Sequence, residues 1–384
     1  MPAVIVFAGV LIFAGVVVLT FLSGQKSVSD ESVVMQATPP PTPAPTVVPT
    51  PAPTPTATPT PTEEPAETPT PEPTPDPNWG KYNPLTGEWW DEELWDTGLS
   101  DNRPWAVSIG NTADAMPLWG IGQADILCEY MVESLLTRIM AIYQDVSDVG
   151  RIGGIRSLRT SNMEIAASYD AIFVHWIGRT NDNVVANGSP ITQFKTFDAA
   201  HVGSRDPDKS GVNNAVVTGS LLLRRTPEDF RTQVRDGFSH SFKFVEDGTP
   251  ADGLTAENIL VRFYYNSKTT RFTYNKDENV YYVSQYGRDV TDGNDNKKLS
   301  FTNIIIVQTG HKPNYNPSGH TYIRTVRGDT GYYINGGKIV EIRWWREDEK
   351  APYEYFLSDG TPLEIGVGKT YICITHDKQI PEFE

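Results

Sequence analysis

Apolar and polar positions divide the chain into three regimes. Residues 2–22, PAVIVFAGVLIFAGVVVLTFL, carry no charge. Twenty-one residues at 1.5 Å each span about 31 Å, close to the hydrocarbon thickness of a bilayer. Export signals have a shorter apolar core, a basic start and a nearby small-residue cleavage site. The basic start and an Ala-x-Ala site are missing here, so an uncleaved single span is expected over residues 1–24, with cleaved export as the rival. No cysteine follows to carry a lipid.

The second regime has almost no apolar periodicity. Residues 37–77 hold 17 Pro and 12 Thr in 41 positions. Proline fixes φ and removes a donor, so residues 25–77 read as a disordered, polyproline-II-like linker reaching on the order of 100 Å. Such a stalk suits a spacer outside a membrane.

The third regime, residues 78–384, alternates. WAVSI (105–109), AIFVHWI (171–177) and a long series from residue 258 read as strands: ILVRFYY, TRFTY, VYYVSQY, TNIIIVQT, HTYIRTV, GYYING, KIVEIRWW, YEYFL and KTYICIT. Gly336-Gly337 and Asp359-Gly360 supply turns. Ser161-x-x-Glu164 reads as a capping box opening a helix over 162–168. Thr226-Pro227 reads as the start of another helix. A long polar loop runs from about 190 to 216. Residues 125–143 fit two patterns. Asp125, Glu129, Glu133 and Thr137 recur every four residues, as on a helix, which propensity prefers. A hairpin with a two-residue turn at Glu133-Ser134 would instead set Glu129 opposite Arg138. The predicted fold class is α+β: a mixed α/β lobe over 78–250, then a β-rich lobe over 251–384.

Charge narrows the partners. The formal net charge is −16, and residues 1–77 carry one lysine against seven carboxylates, leaving −10 on the rest. An acidic surface repels phosphate backbones, so nucleic acid is not an expected partner. The two cysteines, Cys128 and Cys373, lie in apolar runs and read as buried hydrophobes, with a disulfide the alternative.

Laid out in this order, the segments NPLTGE (83–88), RPWAVSI (103–109), QADILCEYMVESLLTRIMAIYQ (123–144), GGIRSLR (153–159), YDAIFVH (169–175), RDPDKSGVNNAVVTG (205–219), NIIIVQ (303–308), GGKIVEIRWWR (336–346) and GKTYICIT (368–375) make the chain resemble the YerB-like family of Gram-positive extracytoplasmic proteins, a domain of unknown function. The resemblance covers nearly all of 83–375. It implies an envelope protein with a mixed amino-terminal region and a β-rich carboxy-terminal region. In the family the position of Glu133-Ser134 usually reads Gly-Gly, which favours the hairpin and its Glu129–Arg138 pair. This chain departs from the family in three places. It lacks the lipid-attachment Cys, has Asn213-Asn214 where the family often shows His-Asn, and has Val290-Thr291-Asp292 where a later His-x-Asp is usual.

The strongest candidate site is RIGGIRSLRT (151–160). Arg156, Ser157 and Arg159 beside turning glycines and a helix start could grip a carboxylate or phosphate. Glu129, Arg138, Asp170, His175 and Asn214 join the candidate set. The plainer reading is that the arginines pair with local acids such as Glu129, Glu164 or Asp170. The six histidines make no metal-binding motif, and Asp292-Gly-Asn-Asp-Asn lacks the Gly and closing Glu of a calcium loop, so no metal or cofactor is expected. No catalytic motif is recognisable. The leading expectation is a membrane-tethered module that binds a cell-wall polymer or an envelope protein, with the membrane engaged through residues 2–22. The alternative is a wall-processing or phosphoester hydrolase using Glu129, Asp170 and His175.

Overall fold

Long apolar runs need cover on both faces, and here they form the middle of one large sheet. The computed structural model describes residues 76–176 and 196–384, apart from 229 and 318. The expected span at 2–22 and the linker up to residue 75 lie outside the described residues. Among the described residues, no helix is long and apolar enough to cross a membrane.

The principal strands are β1 (Trp105–Asn111), β2 (Ile126–Met131), β3 (Thr137–Tyr143), β4 (Ile172–His175), β5 (Thr196–Asp198), β6 (Asn258–Arg262), β7 (Thr269–Asn275), β8 (Val280–Gln285), β9 (Asn303–Thr309), β10 (Asp329–Asn335), β11 (Lys338–Trp345) and β12 (Thr370–His376). An eleven-stranded sheet runs in the order Leu254–Thr255, β11, β10, β9, β12, β2, β3, β1, β4, β5, with Glu354–Leu357 also on β11. Parallel pairs join β9 to β12, β12 to β2, β1 to β4 and β4 to β5. β1, β2, β3 and β9 are buried along their whole length, as expected of strands covered on both faces. β6, β7 and β8 alternate instead, and their buried face packs on the large sheet. Tyr371 of β12 meets Phe272 of β7 edge-on at 5.0 Å. The fold is thus α+β, a mixed amino-terminal lobe followed by a β-rich lobe, with strands of both joined through β12 and β2.

Residues 125–143 are the hairpin, not the helix. Its turn is longer than expected: Val132 donates its N–H to the Leu136 carbonyl, and Ser134 and Leu135 both have positive φ. That shifts the register by one residue. Arg138 faces Tyr130, and Glu129 faces Ile139. A slip of one sends the side chain to the other face, so the expected Glu129–Arg138 pair does not form.

The helices also differ from expectation at their ends. The first, α1 (Thr160–Ala167), starts earlier than the Ser161 box would place it. The Arg159 N–H is bound by Asn162 Oδ1, while Glu164 is buried and accepts a hydrogen bond from Thr325 Oγ1. The second, α2 (Gly219–Arg225), precedes Thr226 instead of following it, and Thr218 Oγ1 caps the Leu221 N–H. Proline disfavours helical geometry in the residue before it, so Pro227 ends this helix where it was expected to open one. HTYIRTV shrinks to a two-residue strand, Tyr322–Ile323.

Candidate functional site

The glycines of RIGGIRSLRT serve close packing. Residues Arg151–Gly153 pair with Ala215–Thr218. A Cβ on Gly153 would lie 2.5 Å from the Ala215 carbonyl oxygen, and one on Gly154 would lie 2.3 Å from that of Asn213. The amides expected to face a ligand are engaged by backbone. Gly153, Ile155 and Arg156 donate to the carbonyls of Trp119, Ala215 and Ser108 at 3.2, 2.8 and 2.8 Å. The loop is therefore clamped between β1 and the 213–216 segment, and these three amides are not open to an anion.

Its arginines divide into two kinds. Glu133, at the hairpin turn, accepts from Arg138 Nη2 at 2.9 Å and from Arg159 Nη2 and Nε at 2.8 and 3.1 Å. Burial alone would raise the Glu133 carboxyl, but the Arg159 hydrogen bond and the two guanidinium charges outweigh it and hold it at about 2. Arg138, almost fully buried, also donates to the Ser157 carbonyl at 2.5 Å. Arg138 and Arg159 thus form an ion-paired brace, the plainer of the two readings, although the acid is Glu133.

Arg156 is different. Its methylenes lie against Gly110, and its Nη1 donates to the Val212 carbonyl at 3.0 Å and to Asn213 Oδ1 at 3.3 Å. Among the described residues no carboxylate lies within salt-bridge distance of it, and its Nε and Nη2 have no hydrogen-bond partner. The Asn213 amide then donates to Asp114 Oδ2 at 2.9 Å. Asn213 sits where the family resemblance sets a histidine. A side-chain amide does not exchange a proton near neutrality, so the Arg156–Asn213–Asp114 chain can hold a charged or polar group but offers no imidazole for proton transfer.

The remaining candidates lie elsewhere. Asp170 accepts from Arg231 at 2.7 and 2.8 Å, and from the side chain and backbone of Arg235 at 3.0 and 2.8 Å. Burial would raise its pKa, but these partners lower it. Asn214 Oδ1 accepts from Arg205 at 2.7 Å, away from Arg156. His175 is buried at the end of β4, and burial lowers its pKa. Glu129 is fully buried and points between the sheets. It accepts from Asn111 Nδ2 (2.8 Å), Thr137 Oγ1 (2.6 Å), Thr270 Oγ1 (2.8 Å), Gln285 Nε2 (3.2 Å) and Tyr371 OH (2.7 Å), with Lys268 Nζ at 2.5 Å. Two strands separate β2 from β4 in the sheet, which puts Glu129 and His175 about 14 Å apart. Glu129, Asp170 and His175 therefore share no cleft, and the hydrolase constellation does not assemble.

Sequence reasoning missed Asp114, Asn213 and Lys268 as members of these clusters. The Asn213-Asn214 departure was the one signal pointing to the right place. Cys128 and Cys373 are free and buried on neighbouring strands. Among the described residues no group of three or more His, Cys, Asp or Glu is placed to hold a metal. Asp292 instead staples a turn, accepting the N–H groups of Gly120, Gly122 and Asn294 at 3.1, 2.6 and 2.7 Å.

With this geometry in place, comparison with known proteins settles the family. Residues 85–232 match the amino-terminal domain, and residues 259–372 the carboxy-terminal domain, of a protein of unknown function, DUF3048. The chain belongs to the DUF3048 family. It is 26% identical over 298 residues to YerB of Bacillus subtilis (strain 168), a protein provisionally named a lipoprotein, covering 77% of this chain and 86% of that one. The crystal structure of YerB from Bacillus subtilis superposes with a TM-score of 0.63 at 22% identity, over 78% of this chain and 99% of that one. The likeness shows that the two share a fold.

Proposed function

We propose that this DUF3048 protein is a membrane-tethered, extracytoplasmic binding module that holds an anionic group of a cell-wall polymer or an envelope protein at Arg156. The observation that carries the reading is the guanidinium of Arg156. It is anchored on one nitrogen by Val212 and Asn213 and leaves two donor nitrogens without a partner among the described residues. A planar fork held on one side and open on the other suits a carboxylate or phosphate. The extracytoplasmic placement draws on the provisional lipoprotein name of YerB. Both cysteines of this chain are buried within the folded unit, so the apolar residues 2–22 would supply the anchor that a lipidated thiol supplies elsewhere.

Pull-down of wall fragments and envelope proteins by the full-length chain in detergent micelles tests this reading. A hydrogen bond to a charged group contributes about 1.5–3 kcal/mol, so Arg156→Ala should weaken capture by roughly tenfold or more. Arg159→Ala removes only a brace to Glu133 and should leave capture intact while lowering stability. Undiminished binding by a folded Arg156→Ala variant would eliminate the proposal.

A further inference from the structure

The aromatic entry segment, residues 79–95, forms a rigid exposed surface that the Arg156 site does not use. Its hairpin begins with Tyr82 bridged to Trp89, and Asn83 and Glu88 are joined by a 2.8 Å backbone hydrogen bond. The tip is fixed into the body of the protein. Leu85 is fully buried, Asn83 Nδ2 donates to Asp125 at 2.9 Å, and Gly87, at φ +72°, packs so tightly on Phe244 that a Cβ would clash. Two of the ridge rings stand outside, and Tyr82 and Trp95 are half-buried beside them. Trp89 is 60% exposed and Trp79 38%. Successive centroids of Trp79, Tyr82, Trp89 and Trp95 are 5.9, 6.5 and 6.0 Å apart. Large indoles left in water along one continuous path mark a contact surface.

The polar atoms around the rings say what kind of contact. Three of the four ridge donors are engaged: Trp79 Nε1 binds Asp101, Trp95 Nε1 binds the Trp90 carbonyl, and Tyr82 OH binds Asp76, while Trp89 Nε1 has no hydrogen-bond partner among the described residues. The segment joining Trp90 to Trp95 carries exposed carboxylates at Asp91, Glu92 and Glu93. The surface thus offers π faces and acceptors, with few donors. A proline-rich peptide docks through successive carbonyls onto several indole or tyrosine donors, and of the ridge rings only Trp89 offers one that is not already engaged. An anionic ligand would meet the carboxylates with the wrong sign. A saccharide fits. The C–H face of a sugar ring carries partial positive charge that the negative face of an indole attracts, and its hydroxyls donate to carboxylates.

We infer that the Trp79–Tyr82–Trp89–Trp95 ridge is a binding surface for an uncharged or amino-sugar glycan chain, with the Trp89 indole as its central platform. It is a second site, independent of Arg156.

The test is titration of the full-length chain in detergent micelles with tetra-N-acetylchitotetraose, an uncharged glycan, and with its de-N-acetylated amino-sugar counterpart, chitosan tetramer. Isothermal calorimetry and 19F spectra of 5-fluorotryptophan-labelled protein give the readout. Saturable binding should perturb the Trp89 resonance, weaken at least tenfold in Trp89→Ala, recover in part in Trp89→Phe and persist in Arg156→Ala. Retained affinity in Trp89→Ala, or no saturable binding of either glycan, overturns the inference. So does a Trp89 shift produced by a Pro/Thr peptide of sequence 37–77 and not by sugar. Because Arg156→Ala leaves the ridge untouched, failure here is separable from failure of the Arg156 proposal.

Discussion

The buried carboxylate of Glu129 gives the sharpest energetic test of how the two sheets are joined. Its Oε1 receives Asn111, Thr137 and Lys268, and its Oε2 receives Thr270, Gln285 and Tyr371. Lys268 is nearly buried, and burial lowers its pKa against the opposing charge and hydrogen bond of Glu129. Glu129→Gln keeps the volume but turns one oxygen into an NH2 group. Three donors then face a donor, and the ammonium loses its counter-charge. Removing one partner of a buried pair costs about 3–5 kcal/mol. Lys268→Met is milder, because the carboxylate keeps five donors, and should cost about 1–3 kcal/mol. In the double variant no charge is stranded, so the two changes together should cost less than their sum by about 1–3 kcal/mol. Urea unfolding followed by circular dichroism, with midpoints and slopes compared across the cycle, measures all three. A Glu129→Gln cost below about 1 kcal/mol, or additivity of the two changes, would refute the view that this pair needs both members.

Glu164 makes a pH-dependent contribution. Burial raises its pKa from 4.5 to about 7, opposed by the Thr325 hydrogen bond and the Arg346 charge. A carboxyl raised on folding favours the native state at low pH and loses that contribution as pH rises through about 7; at about 1.4 kcal/mol per pH unit this is worth about 3 kcal/mol. The stability difference between Glu164→Gln and the parent should therefore move in favour of the variant between pH 5 and 8; a flat difference in paired urea titrations would contradict it. Gly154→Ala forces a Cβ against the Asn213 carbonyl and should destabilise by about 1–3 kcal/mol, while weakening any ligand capture that depends on Arg156; calorimetric melting and the pull-down read the two effects. Burial pushes the Cys128 and Cys373 thiols well above their ordinary range, so a thiol reagent should label the protein only after denaturation, and fast labelling of the native chain would show that β2 or β12 is misplaced.

Much of the fold was legible because the long apolar runs left few alternatives. β9, β11 and β12 fall within a residue or so of their expected bounds, and Gly336-Gly337 turns as its two positive φ angles require. Register was not legible. The Glu133-Ser134 turn is one residue longer than a tight pair, and that residue decides whether Arg138 meets Glu129 or Glu133. The helix at Thr226 failed for a different reason. Pro227 looked like a first-turn proline, but it follows a helix already capped by Thr218. The site was half legible. Arg156 was named with Arg159, and nothing local distinguishes them; the difference is made by Glu133 and Asn213, brought in from distant segments. The Glu129 cluster was hidden for the same reason, since Lys268, Thr270, Gln285 and Tyr371 converge on it from beyond residue 260.

The position of β12 in the sheet bears on how the chain must be made. It is the last strand of that sheet to leave the ribosome, yet it sits between β9 and β2 and pairs in parallel with both. Until it emerges, each of those strands has one flank without its final neighbour, and open strand flanks recruit other chains. Translocation to the far side of a membrane before that moment would keep the half-built sheet extended, and closure would then come in a single late step.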